Sequence, residues 1–154
     1  MNKIIKLGFA SDHRGFNLKT SLINYFKQEG YSIVDCGTDN ELSCDYPDYA
    51  YKLGQKILNN ETDFGIAICG SGIGISIALN KIRGIYCAKV NTVEEALHTR
   101  IDNNTNCVAF SENTTLEDAK KIIETFVNTE FSNLEKHLLR IEKVKQIENG
   151  TYHA

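Results

Sequence analysis

Cys69 heads a glycine-rich turn, Cys69-Gly70-Ser71-Gly72-Ile73-Gly74, placed where an apolar run gives way to a helical pattern. Backbone N–H groups in such a turn converge on an anion at the start of a helix. Partial positive charge there favours the thiolate form of a cysteine at its head. A thiolate beside an oxyanion-stabilising loop can attack a carbonyl or remove a carbon-bound proton. Position alone gives equal weight to a plainer reading, in which Cys69 ends a buried strand. Two familiar glycine loops do not fit. A dinucleotide fingerprint would need its third glycine at position 75, where Ile75 stands, and no Gly-Lys-Ser/Thr of a phosphate P-loop is present.

Other polar residues gather at matching places. Asp12 and His13 follow the first apolar run, and Asp45 and Tyr46 precede the only proline, Pro47. Asp12 suits either chemistry or the cap of a following helix. His13 in a loop at a strand end suits binding or proton transfer, whereas Tyr46 by default packs before a helix. Lys136, His137 and Arg140 have the pattern of a solvated helix face. Lys136 and Arg140, spaced i and i+4, also share one face and can clamp a phosphate.

The elements that must hold these residues can be read from periodicity. Strands are predicted at Lys3–Ala10, Tyr31–Cys36, Asp63–Cys69, Gly84–Val90 and Cys107–Phe110. Between them, Leu18, Ser21, Leu22, Tyr25 and Phe26 make one helical stripe, with Gly30 as its stop. Further helices are predicted from Pro47 to about Leu58, from the glycine turn to near Lys81, and from Thr92 to about Asp102. Two more are expected at Leu116–Asn128 and Asn133–Glu148. This alternation predicts an α/β fold, a single doubly wound, Rossmann-like domain spanning 1–154. Its five-stranded parallel sheet would carry helices on both faces, with an additional C-terminal helix able to lie across a partner subunit. Ligands of such sheets bind outside the carboxyl ends of the strands, where Asp12-His13, Asp45-Tyr46 and the glycine turn all fall.

Composition narrows the function classes. The 154 residues, 42% hydrophobic and 24% charged, suit one ordinary soluble domain. A net charge of −3, with basic residues dispersed, gives no footprint for nucleic acid or membrane. No run approaches the roughly 20 apolar residues of a membrane span, and Met1 to Leu7 lacks the features of a signal peptide, so a cytoplasmic protein is expected. Five cysteines in irregular spacing, without a Cys-x-x-Cys pair, argue against a disulfide framework or structural zinc. Cys87 and Cys107 lie in apolar runs and read as small buried hydrophobes.

From Gly8 to about Glu142 the chain resembles the ribose-5-phosphate isomerase B family, which includes the galactose-6-phosphate isomerase subunits. The resemblance is carried by Ser11-Asp12-His13-Arg14-Gly15-Phe16, Asp45-Tyr46-Pro47 and the stretch Gly65 to Ser76 around the glycine turn. Asn80-Lys81, Asn103-Asn104-Thr105-Asn106 and Lys136-His137-Leu138-Leu139-Arg140 complete it. It implies isomerisation of ribose 5-phosphate and ribulose 5-phosphate through an enediolate, in the non-oxidative pentose phosphate pathway, without metal or organic cofactor. It further implies Cys69 as the base, Ser71 as carrier of hydroxyl protons, and the amides of Gly70, Gly72, Ile73 and Gly74 as oxyanion stabilisers. Asp12, Tyr46 and Asn103 would hold sugar hydroxyls and His13 the phosphate. Lys136 and Arg140 would bind phosphate across the interface of a homodimer or tetramer.

Three positions depart from the family pattern. Asp102 stands where a ring-opening histidine is usual, Lys136 replaces an arginine and so loses its bidentate fork, and Asn113 replaces an arginine after the fifth strand. Asp102 is the candidate to take over acid–base work in ring opening. These departures also fit two alternatives: a hexose 6-phosphate isomerase, or a phosphosugar-binding paralogue without turnover.

Overall fold

The computed structural model describes residues 3–154. Its elements alternate as β1 (Lys6–Ser11), α1 (Phe16–Gln28), β2 (Ser32–Asp35), α2 (Tyr46–Leu58), β3 (Phe64–Cys69), α3 (Ile73–Asn80), β4 (Cys87–Lys89), α4 (Val93–Asn103), β5 (Cys107–Ser111), α5 (Leu116–Asn128) and α6 (Glu135–Asn149). Every strand pair is parallel, in the order β2-β1-β3-β5-β4. The chain thus builds outward in one direction from β1 and in the other from β3. Loops leaving these two adjacent strands diverge and open a crevice at the carboxyl edge.

Because successive strand residues point to opposite faces, the central strands sort their side chains by size. Leu7, Phe9, Ile66, Ile68, Val108 and Phe110 pack with α1 and α5. On the other face Ala10, Ala67, Cys69, Cys107 and Ala109 pack with α2 and α3. Small residues there let α2 lie close to the sheet. A Cβ on Gly8 would sit 2.7 Å from Leu53 Cδ1, and one on Gly65 equally near Ile57 Cδ1. Both faces are therefore dry, as a fully covered parallel sheet requires.

Several boundaries differ from expectation. β4 spans Cys87–Lys89 rather than Gly84–Val90, because side chains take the backbone donors ahead of it: Gly84 N–H donates to Glu148 Oε1, and Tyr86 N–H to Asn106 Oδ1. β1 begins at Lys6, whose N–H donates to Asp63 Oδ2, not at Lys3. The last helix starts at Glu135 because Asn133 is left-handed, with φ 57°. Cys107 is buried as expected, while Cys87, on the edge strand, is only half-buried.

Candidate active site

The glycine turn joins β3 to α3 and is fastened at both ends. Ser111 Oγ donates to Gly70 O at 2.7 Å, and Glu112 N–H donates to Cys69 O at 2.9 Å. Gly72 adopts a left-handed φ of 79°, and a Cβ on it would lie 2.7 Å from the Phe110 carbonyl carbon. Only glycine allows both that conformation and that approach. The resulting turn aims Gly72 N–H at Cys69 Sγ, 3.2 Å away, the contact an anionic sulfur would accept. Cys69 itself is 4% exposed. Ser71 Oγ accepts from Ile73 N–H at 3.0 Å, so the amides of Gly72 and Ile73 both have partners within the turn.

Asp12 and His13 leave the end of β1 beside this turn. Asp12 is buried, and its Oδ1 accepts from Arg14 N–H at 3.0 Å and Gly15 N–H at 3.2 Å. This fixes the turn that leads into α1 without capping the helix, whose N-cap is Gly15, and leaves Oδ2 for another donor. His13 Nδ1 accepts from Cys44 N–H at 3.2 Å in the loop before α2. An accepting Nδ1 carries no proton, so the neutral ring bears its hydrogen on Nε2, where it can be donated to an oxygen. Tyr46, at the start of α2, lies against the turn: a Cβ on Gly74 would be 2.7 Å from its Cζ. The three sequence clusters thus meet around Cys69.

Arg14 and Glu112, which no spacing in the chain marks as partners, join them. Arg14 Nε donates to Glu112 Oε2 at 2.6 Å, and the ion pair bridges the β1–α1 and β5–α5 loops. That carboxylate raises the Arg14 pKa further above its ordinary value. Arg14 lay inside the Asp-His-Arg-Gly block, but its partner is 98 residues away in the chain.

Asp102, Asn103 and Arg140 stand elsewhere. They line a cavity of about 220 Å³ with His137, Ile141 and Val144. Asn103 also shares a larger hollow with Asp63, Phe64 and Gly84, at the amino edge of the sheet. Cys69 is at the other end of β3, five residues along a strand that rises about 3.3 Å per residue, so roughly 17 Å separates the two edges. Lys136 is exposed on the first turn of α6. His137, expected on a solvated face, is buried instead: its Nδ1 meets Ser132 Oγ at 2.8 Å and its ring lies near Phe131. Its Nε2 is 3.5 Å from Asp102 Oδ1. Among the described residues no three His, Cys, Asp or Glu side chains are grouped as a metal ion would need.

The family model for ribose/galactose isomerases matches residues 7–144. This chain belongs to the ribose/galactose isomerase family. It is 35% identical to ribose-5-phosphate isomerase B of Escherichia coli, over 93% of this chain and 96% of the relative. A solved structure of ribose-5-phosphate isomerase B from Clostridium thermocellum superposes with a TM-score of 0.91 at 38% identity, covering 95% of this chain and 99% of the other. That from Mycoplasma genitalium with bound ribulose-5-phosphate gives 0.88 at 31% identity, covering 96% and 99%. The fold of the ribose/galactose isomerases is therefore the fold described above, C-terminal helix included, and the isomerase class follows with it.

Proposed function

We propose that the chain interconverts ribose 5-phosphate and ribulose 5-phosphate, with Cys69 as the base. The observation that carries this reading is Cys69 Sγ at the head of the turn, bonded to Gly72 N–H at 3.2 Å. The thiolate takes the proton from C2 of the linear aldose, and the C–H electron pair forms the enediolate while charge moves to O1. Amides of Gly70, Gly72, Ile73 and Gly74 then stabilise that charge. The Gly72 N–H is released for this once Cys69 Sγ has taken the proton, and for Ile73 the Ser71 hydroxyl turns away, which frees it to carry a proton between O2 and O1. Return of the proton from Cys69 to C1 completes the ketose, and no atom is lost. Asp12 Oδ2 and the Tyr46 hydroxyl take sugar hydroxyls, and His13 Nε2–H faces the phosphate.

The remaining residues come from a second copy. Asp102, Asn103, Lys136 and Arg140 cannot reach Cys69 of their own chain across the sheet, so their proposed roles require a homodimer. Helix α6 supports this: only His137 is buried on it, and Val144 and Ile147, on the same side of the helix as Arg140, are exposed. An apolar helix face left bare in one chain suits a self-complementary interface. Asp102 of that copy, with His137 behind it, does the acid–base work of ring opening.

Support for a ribose rather than a hexose phosphate comes from the Mycoplasma genitalium relative holding ribulose-5-phosphate. The family also takes in galactose isomerases, so the decisive comparison is kcat/KM across five- and six-carbon phosphates. Ribose 5-phosphate is expected to lead. A hexose 6-phosphate leading would reassign the substrate, and binding without solvent-proton exchange would indicate a paralogue without turnover.

A further inference from the structure

The loops that follow the five strands carry five carboxylates, Asp12, Asp39, Glu41, Asp45 and Glu112, but one arginine or lysine, Arg14. These loops therefore offer a phosphate dianion one permanent cation, and the nearest strand-end lysine on β4, Lys89, has its ammonium engaged by Asn91 Oδ1. Arg14 is not spread over the surface at random. Its side chain crosses the glycine turn, so that a Cβ on Gly70 would lie 3.4 Å from its Cδ and Nε and 3.6 Å from its Cζ. Glu112 holds Nε at 2.6 Å from the far side, while Nη1 and Nη2 make no hydrogen bond among the described residues. The arginine side chain is 59% exposed. An ion pair this open adds little to stability, which leaves its place over the turn without a structural reason.

We propose that Arg14 is the phosphate ligand that the Cys69-bearing chain supplies, with Glu112 as the residue that positions it. This rests on reading the turn as a sugar-phosphate site. A guanidinium whose Nε is committed presents its remaining N–H fork in one plane, the geometry that pairs with two phosphate oxygens. Developing charge at the reacting carbonyl is served by the buried amides beside Cys69. A permanent cation at the open rim matches instead the permanently charged end of the substrate.

Titration of the full-length protein with inorganic phosphate, followed by backbone amide NMR at Gly70–Gly74, tests this without requiring turnover. Phosphate is expected to shift these amides, and Arg14→Met to raise the Kd about tenfold or more, the loss of one charge-assisted contact. Arg14→Lys should weaken binding less, because charge survives without the fork. Glu112→Gln should give an intermediate loss, with the spectrum otherwise unchanged. Absence of phosphate shifts at the turn in the unaltered protein, or a Kd for Arg14→Met within about twofold of it, would overturn the assignment. If the Arg14→Met loss is seen in a chain that fails to isomerise ribose 5-phosphate, the functional reading falls and the Arg14 assignment stands.

Discussion

The proposed role of Cys69 needs a hydrogen-bond donor that leaves a sulfur lone pair for the substrate proton, and the Gly72 amide supplies one such donor from within the same turn. His13 shows the same economy: one nitrogen fixed by Cys44, the other free to donate. Replacing His13 with alanine is expected to raise KM for the sugar phosphate about tenfold, as for a lost contact to a charged group, with a smaller change in kcat. Steady-state kinetics would show this split. Asp63 works on stability rather than chemistry. Burial disfavours its charge, but hydrogen bonds from Lys6 N–H and the Lys3 ammonium outweigh this and hold its pKa below the ordinary carboxylate value. A depressed pKa contributes stability above the unfolded value, about 3.9, and loses it as pH falls through the folded one. Asp63→Asn should therefore cost about 1 kcal/mol near neutrality, and the difference from wild type should shrink toward acid pH in denaturant titrations.

The turn between β3 and α3 depends on Gly72 for both its left-handed conformation and its contact with β5. Gly72→Ala places a Cβ against the Phe110 backbone. It is expected to lower stability by more than the roughly 1–2 kcal/mol of left-handed strain, and to reduce kcat by loosening the amides. Thermal unfolding and kinetics would read the two effects separately. Most elements were legible from the sequence because their apolar periods are long and their stops are local. β4 is shorter than its apolar run predicts because Glu148 and Asn106, distant in the chain, take the donors that would extend it. His137 is buried against its helical pattern for a similar reason: Phe131 and Ser132 fold back over the first turn of α6. The Cys69 turn could be found because its residues are contiguous. Arg14 could not be given a place there until Glu112 was brought beside it by the parallel sheet.

Asp102, Asn103 and Arg140 lie at the edge of the sheet opposite Cys69, so a site using both sets joins two molecules. Within a twofold dimer each of two sites would take Cys69 from one copy and Arg140 from the other. Cys69→Ala and Arg140→Ala should each impair activity. Refolding them together in equal amounts should restore about a quarter of wild-type sites, since a mixed dimer has one intact site and one carrying both defects. No restoration above either variant alone would confine the site to a single chain. No helix among the described residues is long and apolar enough to cross a membrane.

Proton transfer by Cys69 is the centre of this account, and conversion of ribose 5-phosphate in deuterated water by wild type and Cys69→Ala tests it most directly. Wild type should form ribulose 5-phosphate with solvent deuterium entering at the exchanging carbon. Cys69→Ala, folded as judged by circular dichroism, should lose both conversion and exchange by about 10³-fold or more. Undiminished conversion with undiminished exchange in Cys69→Ala would contradict the assignment of Cys69 as the base.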